Sequence, residues 1–363
     1  MFLAAAALTA VAQGEVKMSI WGQTEAGVPV PIYTLTSGKI EVRAMAYGAK
    51  LVSIRTPDRT GKVADIELGF DTLQGYLNSK EPHFGSVVGR YGNRIALGKF
   101  SIDGHSYQIP VNNGPNALHG GPKGFDRFVW QAHEVTDGVE FTLVSPDGDM
   151  GFPGTLTAKV RYTLTGNTLR IDYSATTDKP TVLNLTNHAY FNLHGDDLGN
   201  VLDQRIEIHA DRFTPVDAGL IPTGELEPVA GTPLDFRKPE TIGARINDDF
   251  EQLKLAGGYD HNFVVNGEAG TLRVAAVATD PESGRELTVE TTEPGVQFYS
   301  GNFLDGTFTG PHGVKYKKHS GFCLETQRFP DSPNHPGFPT TVLRPGETFH
   351  STTTFSFSTM AGG

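Results

Sequence analysis

In the segment "SGFCLETQRFPDSPNHPGF", strand alternation puts Phe322, Leu324 and Thr326 on one face and Cys323, Glu325 and Gln327 on the other. A carboxylate in so apolar a strand is unfavourable by several kcal/mol unless it is partnered or opens into a cleft. Two readings of Glu325 follow: a structural ion pair with an arginine such as Arg328, or a functional base. The segment "VLNLTNHAYFNLHG" raises a related question. Leu183, Leu185, Asn187, Ala189, Phe191 and Leu193 share one face, and Asn184, Thr186, His188, Tyr190 and Asn192 share the other. The second face is polar yet carries none of the charges that usually solvate a surface strand, which points to a neutral, hydrogen-bonding ligand.

Three further segments join turn glycines to polar groups. "GSVVGRYGNRIALGKF" places Asn93 and Arg94 after a glycine-studded turn, without the lysine or βαβ context of a nucleotide loop. "NNGPNALHGGPKGFDRFVW" carries His119 between Leu118 and two glycines, where a lone histidine is more often structural than functional. "GGYDHNFVV" carries Asp260 where a glycine turn leads into an apolar run, a usual place for a turn-forming Asp. The 12 histidines invite a metal reading, but no H-x-x-x-H or H-E-x-x-H spacing occurs, and no metal is expected. No G-x-S-x-G elbow supports serine hydrolysis. Asn184-Leu185-Thr186 fits a glycosylation sequon, although its place on the polar ligand face argues against a glycan.

The elements that must hold these residues are strands. The 363 residues carry 30 Lys plus Arg against 41 Asp plus Glu, a net charge of −11, so neither nucleic acid nor an anionic membrane is an expected partner. One cysteine, Cys323, excludes an intrachain disulfide framework. The apolar run Phe2 to Ala12 ends in Ala10-Val11-Ala12, which resembles the close of a secretory signal lacking its basic start. On that basis residues 1–12 are expected to be a signal remnant and the protein periplasmic or secreted, with a cytoplasmic location the alternative.

Strands are expected at 32–36, 39–46, 49–55, 139–145, 154–164, 168–176, 181–193, 204–208, 262–265, 272–280, 285–293, 296–302, 321–327 and 352–358. Turn signals such as "SPDGDMGFPG", "LTGNT" and "TDPESGR" separate them. Only "DTLQGYLN" and "RKPETIGARIN" read as short helices. No repeat or linker divides the chain, so one all-β domain over 16–360 is expected, built as a large antiparallel β-sandwich.

Taken in order, "GRYGNRIALGKF", "NALHGGPKGFDRFVW", "LNLTNHAYFNLHG", "GYDHNFVV", "GVQFYSGNFLDG" and "GFCLETQRFPDSPNHPGFP" resemble the aldose 1-epimerases, or galactose mutarotases, over roughly 37–357. The resemblance implies a mutarotase-like supersandwich whose concave sheet binds a free aldose and interconverts its α and β anomers without a cofactor. It implies Glu325 as general base and His188 as general acid, His119 as a second histidine near the sugar ring, and Asn93, Arg94, Asp260 and Gln297 as partners of the sugar hydroxyls. The expected partner is therefore a small sugar, bound by a monomer or homodimer. Two competing readings are a mutarotase for hexose 6-phosphates, which would need extra cations, and a sugar-binding protein that has lost catalysis.

Overall fold

In the computed structural model, residues 14–78, 82–195 and 199–360 are described. The expectation of a signal remnant at 1–12 lies outside them. Among the described residues, no helix is long and apolar enough to cross a membrane.

Three antiparallel sheets carry the fold. The largest has nine strands, centred on the long neighbours Leu156–Thr165, Thr168–Thr177 and Phe349–Thr359. A five-stranded sheet begins with Glu15–Gln23 and Pro29–Ser37. A second five-stranded sheet, here the site sheet, orders Asp260–Val265, Gly295–Tyr299 and Cys323–Gln327 side by side, with Cys323–Gln327 last in the row. Alternation makes each strand two-faced, and the apolar faces of all three sheets meet in one core. Leu35 and Val42, Val160 and Ile171, and Phe263 and Phe298 all belong to it.

Most expected strands are present with shifted ends. The expected strand 181–193 is instead broken into Thr181–Val182 and Thr186–His188, with one isolated bridge at Asn184 and two at Phe191. Its polar side chains explain the breaks, because several bind backbone of neighbouring segments: Asn184 donates to Gly92 O at 2.9 Å and Asn192 to Ser320 O at 3.1 Å. These side-chain bonds tie down loops that no ladder reaches. In "RKPETIGARIN" the expected short helix is a single 3₁₀ turn, Ile242–Ala244, that follows the strand Glu240–Thr241. The α-helix lies just beyond, at Glu251–Ala256, closed by Gly257 in the left-handed conformation (φ 67°).

Candidate active site

The site sheet turns one polar face inward. Register places Asn262 opposite Gln297 and Gln297 opposite Glu325, so the three side chains form a row across neighbouring strands. Hydrogen bonds link the row and its flanks. Gln297 donates to Asp260 Oδ1 at 2.7 Å, and Gln327 donates to Gln297 Oε1 at 3.1 Å. Arg94 reaches in from another segment, with Nη2 3.6 Å from Asp260 Oδ2 and Nε donating to Asn113 at 3.2 Å.

His188 comes from a different ladder, Thr186–His188 paired with Ser86–Val88. Its Nε2 lies 3.7 Å from Glu325 Oε1, and its Nδ1 lies 3.5 Å from the Cys323 sulfur. Both partners are buried, Glu325 to 2% exposure and His188 to 5%. Glu325 Oε2 has no hydrogen-bond partner. Arg328, the arginine that the sequence offers to Glu325, pairs elsewhere: its Nε is 3.1 Å from Glu293. The strand ends at Gln327 and the chain bends at Arg328, which lies beyond the ladder that carries Glu325.

Burial governs the protonation of this pair. It pushes the Glu325 carboxyl well above the usual carboxylate range, and the nearby Asp260 charge adds to the rise while Arg94 opposes it. Burial also lowers His188 to about 3. Burial therefore favours the neutral form of both groups, with the shared proton on Glu325 rather than on His188. Moving that proton across gives a carboxylate facing an imidazolium at the same net charge.

His119 is fixed by local backbone. The Asn93 N–H donates to His119 Nδ1 at 3.2 Å, and the His119 N–H returns a bond to Asn93 O at 3.1 Å. Nδ1 is thus an acceptor, and Nε2 carries the ring proton. Burial, first of all, keeps His119 well below the usual histidine range, so it is neutral and acts as a donor.

Six of the seven sequence-expected residues, Asn93, Arg94, His119, His188, Asp260 and Glu325, line one cavity of ≈ 160 Å³. Gln297 stands behind them, holding Asp260. The volume lies below the about 300–1,000 Å³ of drug-sized sites and suits one small ring. Sequence reasoning missed His83, Tyr299 and Phe303 in the wall. Tyr299 and Phe303 lie within the quoted motif "GVQFYSGNFLDG" and were available to it, whereas His83 precedes the glycine-rich motif and gives no local signal. A larger groove of ≈ 680 Å³, lined by Glu41, Arg43, Arg55, Asp58, Lys62 and Asp65 among others, contains none of the expected residues. These six residues carry charges of both signs, and most of them are half-buried.

His119, His188 and Glu325 each offer a ligand atom, all within 4.8 Å of one another. Tetrahedral zinc would draw such atoms to about 3.4 Å apart. The trio is more open than a zinc cage, and its spacing leaves room for a substrate atom between the groups.

Comparison with known proteins agrees with this architecture. The sequence profile of the aldose 1-epimerase family matches residues 31–356. The chain is 47% identical over 344 residues to the galactose mutarotase of Bos taurus, covering 94% of this chain and 98% of the bovine one. It is 42% identical over 337 residues to the aldose 1-epimerase of Escherichia coli K12, covering 91% and 96% of the two chains. The crystal structure of galactose 1-epimerase from Lactobacillus acidophilus superimposes with a TM-score of 0.83 at 29% identity, over 96% of this chain and 99% of the other.

Proposed function

The chain belongs to the aldose 1-epimerase family and is an isomerase that interconverts aldose anomers, and from that footing we propose that Glu325 and His188 perform the proton transfers on a free aldohexose such as galactose. The observation that carries the assignment is the buried Glu325–His188 pair, 3.7 Å apart in a cavity of monosaccharide size.

The chemistry needs one base and one acid. In the carboxylate–imidazolium arrangement, Glu325 takes the proton of the anomeric hydroxyl as the bond from C1 to the ring oxygen breaks, and His188 protonates that oxygen. The product is the open-chain aldehyde, with Glu325 protonated and His188 neutral. Rotation about the C1–C2 bond presents the other carbonyl face; the ring hydroxyl then adds to it, His188 recovering its proton and Glu325 returning the other. The protonation state of the ring-opened stage is thus the one that burial favours in the empty site. A positioned acid or base contributes about 10²–10⁴-fold each, which is ample for a reaction that already proceeds in water.

Arg94, Asp260, Asn93 and His119 orient the sugar in this reading, and Gln297 holds Asp260. Among the described residues, Arg94 is the only Lys or Arg lining the cavity, and it faces Asp260. That supports an unphosphorylated substrate, since a phosphate would call for cations free to bind it. The single-domain reading of 16–360 fits a core drawn from all three sheets. Polarimetry on glucose, galactose and glucose 6-phosphate tests the proposal. Acceleration confined to the free sugars is expected; faster turnover of the phosphate would overturn the substrate assignment, and binding without acceleration would overturn catalysis.

A further inference from the structure

Beside the acid–base pair stands a histidine that neither the motifs nor the mechanism uses. His83 lines the cavity, and its ring centroid lies 4.8 Å from that of His119 and 5.9 Å from that of His188. Its backbone is left-handed (φ 64°), a conformation unusual for a residue with a side chain. Two bonds hold the loop there: Ser86 N–H donates to His83 O at 3.0 Å, and Gly85 N–H donates to His188 O at 3.0 Å. The loop is thereby tied to the strand that carries the proposed acid.

The ring is also oriented. His83 Nδ1 lies 3.1 Å from Asp126 Oδ2, and Arg127 Nε lies 2.7 Å from the same oxygen. Asp126 is buried with a permanent cation, Arg127, on the same oxygen that faces His83, so it is a carboxylate. An ionised carboxylate only accepts, so His83 Nδ1 is the donor. In neutral His83 this leaves Nε2 as a lone-pair acceptor, and among the described residues Nε2 makes no hydrogen bond. His119 has the opposite tautomer, with Nε2 as the donor.

We propose that His83 is a further sugar-binding and specificity-determining residue: with His119 it forms a donor–acceptor pair that recognises one sugar hydroxyl. His119 donates to the hydroxyl oxygen, and the hydroxyl donates to His83 Nε2. A hydroxyl satisfies both rings at once, whereas a group that only accepts satisfies His119 alone. The inference rests on the assignment of this cavity to an aldose, and it adds a residue outside the acid–base pair.

The test compares galactose with its 3-, 4- and 6-deoxyfluoro analogues, because fluorine accepts weakly and cannot donate. Each is assayed by mutarotation with the unmodified enzyme and with His83→Phe, which keeps an aromatic ring against His119 and His188. The unmodified enzyme should show KM raised about tenfold for the analogue altered at the recognised position. His83→Phe should raise KM for galactose by a similar factor, leave kcat within about threefold, and reduce the hydroxyl-to-fluorine difference at that position to about twofold or less. An unchanged KM for galactose would overturn the proposal, as would a rise that is equal for every sugar in the set. Glu325→Gln provides the separate arm: retention of activity there removes the acid–base reading and leaves the His83 result to stand or fall on KM.

Discussion

Glu293 and Glu325 are both 2% exposed, yet they are served differently. Glu293 has a permanent cation, with Arg328 Nε at 3.1 Å. Among the described residues, Glu325 has no ion pair with an arginine or lysine; it faces a histidine at 3.7 Å. Burial raises both carboxyls, but Arg328 works against the rise at Glu293 while Asp260 adds to it at Glu325. One region is arranged to keep a charge, and the other to let a proton move. A buried carboxyl without a permanent cation is unfavourable for stability, so its retention in a cavity wall marks function more clearly than burial alone.

The sharpest way to break the comparison is Glu325→Gln, which keeps shape and removes basicity. Its kcat should fall about 10³-fold with KM within about threefold, measured by polarimetry. Near-normal mutarotation would take Glu325 out of the base role. His188→Asn comes next, with an expected loss of about 10²-fold or more in kcat. In the parent, kcat/KM should fall on the acid side as the pair takes up a second proton on His188, at about pH 3, and on the alkaline side as Glu325 loses the only one. The variant should lack the acid limb; an unchanged profile would argue against His188 as the acid.

Arg328→Met attacks the other member of the comparison. Turnover should stay within about threefold, while stability at neutral pH falls by about 2 kcal/mol, or roughly 4 °C in Tm. Removing the cation raises the Glu293 carboxyl further above its unfolded value. The loss should therefore be present above the unfolded carboxylate range and fade as pH falls below it. A pH-independent loss would show that packing, not charge, accounts for it.

The smallest effect distinguishes the two carboxylates most directly. Because the folded-state pKa of Glu325 is raised, its contribution is most favourable at low pH and weakens as pH rises toward that pKa. Glu325→Gln should then be more stable than the parent at pH 7, by on the order of 1 kcal/mol, with the gain vanishing near pH 4. Thermal melts at the two pH values measure it. Equal or lower stability at pH 7 would mean that the carboxylate has a partner after all.

Much of this site was legible because its residues break local rules. A glutamate in an apolar strand and a polar but uncharged strand face both announced themselves, and ordered motifs supplied the resemblance that pointed to Asn93, Arg94, His119, Asp260 and Gln297, four of which line the cavity. The fold class was legible for a similar reason, since period-two runs between glycine turns leave little else to build. The partner of Arg328 was not legible, because Glu293 is distant in the chain and only sheet geometry joins them. Nor was the break in 181–193: alternation shows which way side chains point, but not that Asn184 and Asn192 spend their hydrogen bonds on loops. His83 depends on Asp126, 43 residues away, and no local pattern records such a pairing.

The proposed base and the proposed acid stand on separate ladders. Glu325 lies on the last strand of the site sheet, and His188 lies on the short ladder Thr186–His188 with Ser86–Val88. Within a sheet, neighbouring strands are held about 4.8 Å apart by their hydrogen bonds, and no such ruler spans this junction. The gap is set by what fills the joint, including Cys323 against His188. The distance over which protons must be exchanged is therefore an adjustable dimension. A change of side-chain volume at the joint can retune it while Glu325, His188 and every strand that carries them stay as they are.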